Sequence, residues 1–419
     1  MTQPSPGPGE RYQEDRAKLE VVLETNPGLI NLADEDGLTP LHLAALSGNL
    51  AALELFLSSR EVSVDHLDTG GHSALHWAVV CQRVDCVKLL LHHGAQINLP
   101  DRSGAGALHY AVQADQAALV SVLLDLGADI NMRDRLGRSP TMWAASCDSL
   151  TSLLLLLPAG ADLEARDGQS LTALHTGAAR GNVRSLEAIL DQHPGLVDLA
   201  DSDGAPALFY AASLGRLDCV KLLTQRKAAV RLRDRLGRTA LTCSLTSLTS
   251  LTSRPTEVLQ VLLEAGADLA VTTEEGDTVL HLAVARRQVD VVVWILNISP
   301  GLSNKQNRAG LTPLHLATSL NHIREESQLS LFPCYYCHQN YFRICKVLLD
   351  FHCHCNPVMR CGRRRRFAMM TPVDIALAKH YIGCCKLLQL HGGLKWTELQ
   401  RLRSQSDQLV RVMSAPSLR

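Results

Sequence analysis

Two short apolar patterns alternate along the chain at a steady distance from one another. The first puts Leu41, Ala44 and Ala45 on one face behind Thr39-Pro40, and steps of three and four are those of one side of an α-helix. Thr39 offers the hydroxyl of a helix N-cap, and Pro40 suits the first helical position, where no amide hydrogen is missed. The second pattern is a leucine-rich run, Cys86-Val87-Lys88-Leu89-Leu90-Leu91, closed by Gly94, a residue able to take the left-handed conformation that ends a helix. Asp and Gly positions between units predict a tight turn. A pair of short helices cannot bury its own apolar face, so the pattern predicts pairs that stack and bury it jointly.

The first phrase returns as Ser73-Ala74-Leu75-His76-Trp77-Ala78, Ala107-Leu108-His109-Tyr110-Ala111, Ser139-Pro140-Thr141-Met142-Trp143-Ala144 and Thr172-Ala173-Leu174-His175. Later copies begin at Ala207, Thr239, Thr278, Thr312 and, more weakly, Thr371. The residues aligned with Gly37 are Gly71, Gly104, Gly137, Ser170, Gly204, Gly237, Gly276 and Gly310, at steps of 34, 33, 33, 33, 34, 33, 39 and 34. The second phrase recurs at Leu123 to Asn131 and at Leu262 to Leu269. From about Asp34 to Gly393 the chain resembles ankyrin-repeat proteins, whose period is about 33 residues. The resemblance implies an all-α solenoid of stacked helix-turn-helix units joined by β-hairpin-like loops. It also implies that the recurrent imidazoles of His42, His76, His109, His175, His281 and His315 tie adjoining loops together rather than bind metal. The expected organisation is a disordered tail over 1–9 and a capping helix or half repeat over 10–34. A domain of about ten repeats follows over 35–393, then a C-terminal helix and tail over 394–419.

Composition narrows the function. Lys and Arg total 41 against 42 Asp and Glu, which removes the usual electrostatic reason to expect a nucleic-acid or membrane-surface partner. No apolar run approaches the roughly 20 residues of a bilayer span, and Met1 to Glu10 lacks the features of a secretory signal, so a soluble protein is expected. Thirteen Cys residues then read as free thiols of a reducing compartment. Several of them, Cys86, Cys219 and Cys345, stand inside apolar helical runs as small buried groups.

The pattern is interrupted near 245–255, 323–341 and 359–367. The first interruption, rich in Leu-Thr-Ser, reads as a polar loop or as a phosphorylatable cluster. The second carries Cys334 and Cys337, with His352, Cys353, His354 and Cys355 just downstream. Thiolates and imidazoles at such spacing suit tetrahedral zinc through Cys334, Cys337, His352 and His354. The competing reading is a flexible insertion with buried thiols, because Cys353 and Cys355 align with Ala95 and Ile97. The third contains Arg363 to Arg366, either an import signal or a solvated basic loop. Leu19, Val22 and Leu23 mark one side of the N-terminal cap, and Leu399, Leu402 and Leu409 one side of a terminal helix. The tail around Ser414, with Arg411 before it and Pro416 after it, resembles a phosphoserine ligand of 14-3-3 proteins.

No phosphate-binding glycine loop, zinc-protease helix or nucleophile elbow occurs, and the loop carboxylates Asp68, Asp101, Asp134, Asp201 and Asp234 recur as turn residues would. The tetrad at His352 differs from the Asp-His-His-Cys of ankyrin-linked palmitoyl transferases. The sequence therefore predicts a non-catalytic scaffold without cofactors, cytoplasmic or else nuclear or ciliary, that binds other proteins through a groove and its loop tips. Exposed-type residues at the turns, Arg102, Arg135, Arg138 and Arg235, are candidate contacts. The row Trp77, Tyr110, Trp143 and Tyr210 has two open readings, as binding anchors or as rings that stiffen the stack. A substrate-recruiting subunit of a ubiquitin ligase is the alternative function. A transcriptional regulator imported through Arg363 to Arg366 is another. A fainter likeness to inversin-type proteins rests on Gly137 to Ala145 and on the last repeat from Leu348 onward, and would imply a ciliary or signalling adaptor.

Overall fold

A computed structural model describes residues 19–246, 255–320, 335–351, 353–357, 359–360, 369–378, 381–402 and 404. It divides into two compact units, Met1–Ser202 and Asp203–Arg419. In the first unit the helix pairs are Pro40–Ser47 with Leu50–Ser58, Ala74–Val80 with Val84–His92, Ala107–Gln113 with Ala117–Asp125, Pro140–Cys147 with Leu150–Leu156, and Ala173–Arg180 with Val183–Gln192. In the second they are Ala207–Ser213 with Leu217–Gln225, Ala240–Thr246 with Pro255–Glu264, Val279–Ala285 with Val289–Ile298, Pro313–Ser319 with Tyr335–Asp350, and Pro372–Ala378 with Ile382–Leu390. Within each unit, each pair buries its apolar face against the next. Leu41, Leu53, Leu75, Leu90, Leu119, Leu123 and Leu153 are all fully buried. Cys86 in the first unit and Cys219 and Cys345 in the second are likewise buried, with almost no exposure.

The helix caps are more reciprocal than a lone hydroxyl would make them. Thr39 Oγ1 lies 2.8 Å from His42 Nδ1, and the same nitrogen accepts the Thr39 backbone N–H at 3.1 Å. A ring nitrogen that accepts a backbone N–H carries no proton, so the proton resides on Nε2. His42 Nε2 then donates to the carbonyl of His72, His109 Nε2 to that of Arg138, and His281 Nε2 to that of Leu311. Each of these imidazoles thus caps its own helix and reaches the loop of the next repeat, as the family resemblance implied. Burial holds His42, His109 and His281 below the ordinary histidine pKa. In His76 and His315 the Nε2 makes no hydrogen bond of ordinary distance and angle among the described residues, and burial pushes both down to about 4.

The loops are hairpins whose tips need left-handed backbone. Gly104 has φ +82°, and a Cβ there would lie 2.7 Å from the Arg135 nitrogen of the next loop. Where Ser170 replaces this glycine, it adopts φ 62°.

The departures from the pattern take definite form where they are described. The helix Tyr335–Asp350 is 16 residues long, so the C-terminal part of the insertion expected to be flexible is helical and extends the second helix of its pair by about two turns. Tyr341, from that extension, is buried, donates to the Ala285 carbonyl at 3.3 Å and receives the Arg287 guanidinium over its ring. Met359–Arg360 and Met369–Met370 pair antiparallel, Met359 opposite Met370, and bracket the arginine-rich segment. Residues 361–368, like 247–254, lie outside the described residues. At the N-terminal end residues 19–25 are helical, but Val22 is 47% exposed. Leu23 instead lines a shallow cavity with Ile30 and Leu55.

The last pair is built differently. Asp374 stands where six of the other repeats carry histidine, and its carboxylate accepts the Thr371 N–H and hydroxyl, each at 2.9 Å. The same Oδ2 accepts the backbone N–H of Trp396 at 2.9 Å, and the single Thr371 hydroxyl proton is shared with the Leu394 carbonyl, 2.8 Å from Oγ1. Residues 396–402 continue as helix. An acceptor in the histidine position therefore docks the terminal segment by its N–H. Leu402 at the end of that helix is 51% exposed.

Candidate protein-interaction surface

The loop carboxylates organise the surface. Asp134 is representative: Oδ1 accepts the N–H groups of Leu136 at 2.9 Å and Arg138 at 2.8 Å, the local bonding that makes Asp a turn residue. Asp68 and Asp101 bind the corresponding amides of Gly70, His72, Ser103 and Ala105 in the same way. Their second oxygens face the row of aromatic residues. Trp77 Nε1 donates to Asp68 Oδ2 at 2.9 Å, Tyr110 OH to Asp101 Oδ2, and Trp143 Nε1 to Asp134 Oδ2 at 3.1 Å. Donor and carboxylate are nine positions apart each time. That constant separation was available in the sequence and is the signal that reading by residue type missed. Burial by itself would raise these carboxyls, but the hydrogen bonds outweigh it and hold Asp68, Asp101 and Asp134 below the usual carboxylate range. Burial and the hydrogen bond to Asp101 raise the Tyr110 hydroxyl.

The rings form a half-buried ladder in the first unit. Centroids lie 5.5 Å apart for His72–Trp77, 6.0 Å for His72–Tyr110 and 5.9 Å for Tyr110–Trp143, all edge to face, the geometry that ring quadrupoles favour. Tyr210 stands in the second unit, also half-buried. At the equivalent positions after it are Cys243, Leu282 and Leu316, which offer no comparable donor, so the ladder of the first unit has no counterpart there. Trp77, Tyr110 and Trp143 thus tie their helices to the loop carboxylates and remain half-buried.

The candidate arginines divide by what they already hold. Arg138 is engaged: Nε donates to Asp134 Oδ2 at 2.8 Å, and its guanidinium lies 5.0 Å from the Trp143 ring centre. Arg238 holds Asp234 in the same way at 2.7 Å. Arg102, Arg135 and Arg235 are exposed, one at each tip, and their guanidinium groups make no ion pair among the described residues. Leu136 and Leu236 beside them are 62% and 56% exposed.

The cysteine-rich segment is not assembled as a site in the described residues, and among them no group of three or more ligand-type side chains is placed to hold a metal. Cys353 is buried as Ala95 is, and Cys355 Sγ donates to the His391 carbonyl at 3.0 Å. His354 is exposed, and its backbone N–H binds Asn304 Oδ1. Cys334, His352 and the side chain of Cys337 lie outside the described residues, as do Arg363 to Arg366 and Ser414. No described helix is long and apolar enough to cross a membrane.

Comparison with known proteins accounts for this architecture. The family model for ankyrin repeats in three copies matches residues 13–101, 97–167, 141–234, 174–271 and 247–325. The chain is an ankyrin-repeat protein. Among curated relatives, the ankyrin chain is 30% identical over 312 residues to B-cell lymphoma 3 protein homolog of Mus musculus, covering 72% of this chain and 52% of that protein. It is 37% identical over 153 residues to E3 ubiquitin-protein ligase KEG of Arabidopsis thaliana, 36% of this chain and 9% of the other. With Ankyrin repeat and SOCS box protein 6 of Homo sapiens it shares 34% over 110 residues, 26% of each. The ankyrin chain thus spans about half the length of one of these relatives and much less of the other two.

Proposed function

We propose that this ankyrin-repeat protein is a non-catalytic scaffold that holds partner proteins against its loop tips and the half-exposed row of Trp77, Tyr110, Trp143 and Tyr210. Ankyrin repeats bind other proteins, and the division of labour among the loop residues supports placing that binding here. The loop carboxylates and the imidazoles of His42, His109 and His281 are engaged in holding loops and caps. The tip side chains Arg102, Arg135 and Arg235 carry unspent charge, the latter two beside the exposed Leu136 and Leu236. Buried aromatic anchors with a polar rim are the usual make-up of binding hot spots.

The test is a proximity-labelling comparison of the wild type with a charge-reversed variant, Arg102→Glu, Arg135→Glu and Arg235→Glu together. The variant should melt like the wild type and lose partners. An unchanged partner list sinks the placement at the tips. Turnover of any substrate by pure protein sinks the non-catalytic part.

A second reading, recruitment of substrates to a ubiquitin ligase, is favoured by the names of two relatives, although the matched stretches are short parts of both. Affinity purification with and without residues 394–419 tests it: ligase subunits should be captured only with the segment present. For location we propose the cytoplasm, and an Arg363–Arg366 to Ala variant that moves out of the nucleus would overturn that. Binding of a 14-3-3 protein at Ser414 is checked by capture on a phosphorylated peptide of the tail.

A further inference from the structure

The tips of the first unit are joined in series. Arg102 donates its backbone N–H to the Gly70 carbonyl of the preceding tip at 3.1 Å, and Arg135 donates to Ser103 at 2.8 Å. Their side chains therefore leave neighbouring tips of one continuous edge. Charge along that edge is segregated. The first tip is acidic, with Glu35 and Asp36 exposed, the second carries Thr69 and Gly70, and the third and fourth carry Arg102 and Arg135. No exposed carboxylate stands at these two tips, since Asp101 and Asp134 are buried beneath them. Leu136, 62% exposed, adjoins the second guanidinium.

Stacked helices lie about 8–10 Å apart, and so do the tips they carry. An extended strand does not match that spacing well, because its residues three apart point to opposite faces. A polyproline-type segment does match it, with three residues per turn and about 9 Å between residues i and i+3 on one side. We propose that Arg102, Arg135 and Leu136 form a docking site for an acidic, proline-containing segment of a partner protein, with carboxylates three residues apart and an apolar residue between them. Each guanidinium takes one carboxylate, in the forked geometry that suits arginine. The acidic first tip repels such a segment and confines it to the third and fourth. This inference rests on the scaffold reading and names the chemistry of one partner.

The second unit supplies an internal control. It repeats the hexapeptide Arg133–Arg138 as Arg233–Arg238, with the same carboxylate-bound loop and an equally exposed leucine. Its neighbours, however, are Asp203 on one side and Glu274 and Glu275 on the other, all exposed. There the single Arg235 lies between acidic tips, and no second arginine stands one repeat away.

The probe is a fluorescein-labelled peptide, Gly-Glu-Pro-Leu-Glu-Pro-Gly, followed by anisotropy with the full chain at low and at physiological ionic strength. Binding should weaken with salt. Arg102→Ala with Arg135→Ala should weaken it about tenfold and Leu136→Ser about threefold. Arg235→Ala and Leu236→Ser should leave it unchanged. A peptide with both Glu replaced by Gln, or with the two Glu adjacent, should bind at least about threefold more weakly. Circular-dichroism melts of each variant separate lost binding from lost folding; because the positions are exposed, the melts should overlay. The proposal is overturned by absence of binding, by indifference to the Arg102 and Arg135 changes, by an equal loss on Arg235→Ala, or by equal binding of the Gln peptide. Any of these together with tip-dependent partner capture in cells overturns the peptide chemistry alone and leaves the scaffold reading standing.

Discussion

The two copies of one hexapeptide, Arg133–Arg138 in the first unit and Arg233–Arg238 in the second, fold alike in different surroundings. In both, the aspartate carboxylate gathers the amides two and four positions on, and the last arginine closes on its second oxygen. Local sequence settles that much. The residue nine positions beyond each aspartate differs: Trp143 gives Asp134 a further donor, whereas Cys243 occupies that place in the other copy and is itself buried. The tips on either side differ as well, one copy having Arg102 beside it and the other Asp203 and Glu274. A loop's conformation is thus decided within the loop, while its support and its electrical surroundings are decided by the adjoining helix and by the neighbouring repeats.

Acid should produce the largest effect, and it should act on both units. His76 and His315 have folded-state pKa values of about 4 against an ordinary 6.5. Each contributes stability that is complete above pH 6.5 and disappears as pH falls to about 4, because the unfolded chain takes up the proton first. The full loss is about 3 kcal/mol for each histidine. Asp68, Asp101 and Asp134, depressed in the folded state, add a further loss that begins as pH falls below their unfolded value near 4. Hydrogen exchange followed from pH 7 to 4 should show protection falling around both histidines; a flat profile over that range contradicts the neutral, buried imidazoles.

Removing the carboxylate distinguishes the two copies next. Asp134→Ala should cost about 3 kcal/mol and Asp234→Ala about 2, because only the former leaves an indole N–H without its acceptor. Denaturant unfolding of the two variants measures the gap, and equal losses would show that the Trp143 bond adds nothing. Trp143→Phe, which keeps a ring and deletes the N–H, should cost about 1 kcal/mol. It should also leave partner capture intact if the ring itself is the anchor. Smallest of all, Leu136→Ser and Leu236→Ser should each change stability by less than about 0.5 kcal/mol, since both side chains already face water; a larger shift in thermal melts would mean that one of them is covered.

Much of the fold was legible because the repeat writes the same physical requirements again and again. A cap before Leu41, a left-handed glycine after Leu91 and a period near 33 leave few alternatives to stacked helix pairs. The surface was less legible. Arg138 and Arg135 are the same residue type three positions apart in one tip, yet one is committed to Asp134 and the other is not. The folded loop brings Arg138 onto the carboxylate and leaves Arg135 exposed. The bracing of Trp77, Tyr110 and Trp143 was encoded as a constant offset from the loop aspartates, a relation between two elements that neither pattern shows by itself. The helical extension before Tyr341 lacked the apolar rhythm of its neighbours, so nothing in the repeat phrase marked it as helix.

The exchange of histidine for aspartate at position 374 sets a direction for growth. Imidazoles such as His42, His109 and His281 offer a proton to the hairpin that comes next, so units can be added or removed there by duplication with the joint preserved. At Asp374 the polarity is inverted, and a further hairpin appended in place of Trp396 would set carbonyl against carboxylate. One substituted side chain thus exchanges a donor for an acceptor at the joint and selects a segment that approaches with its amide first.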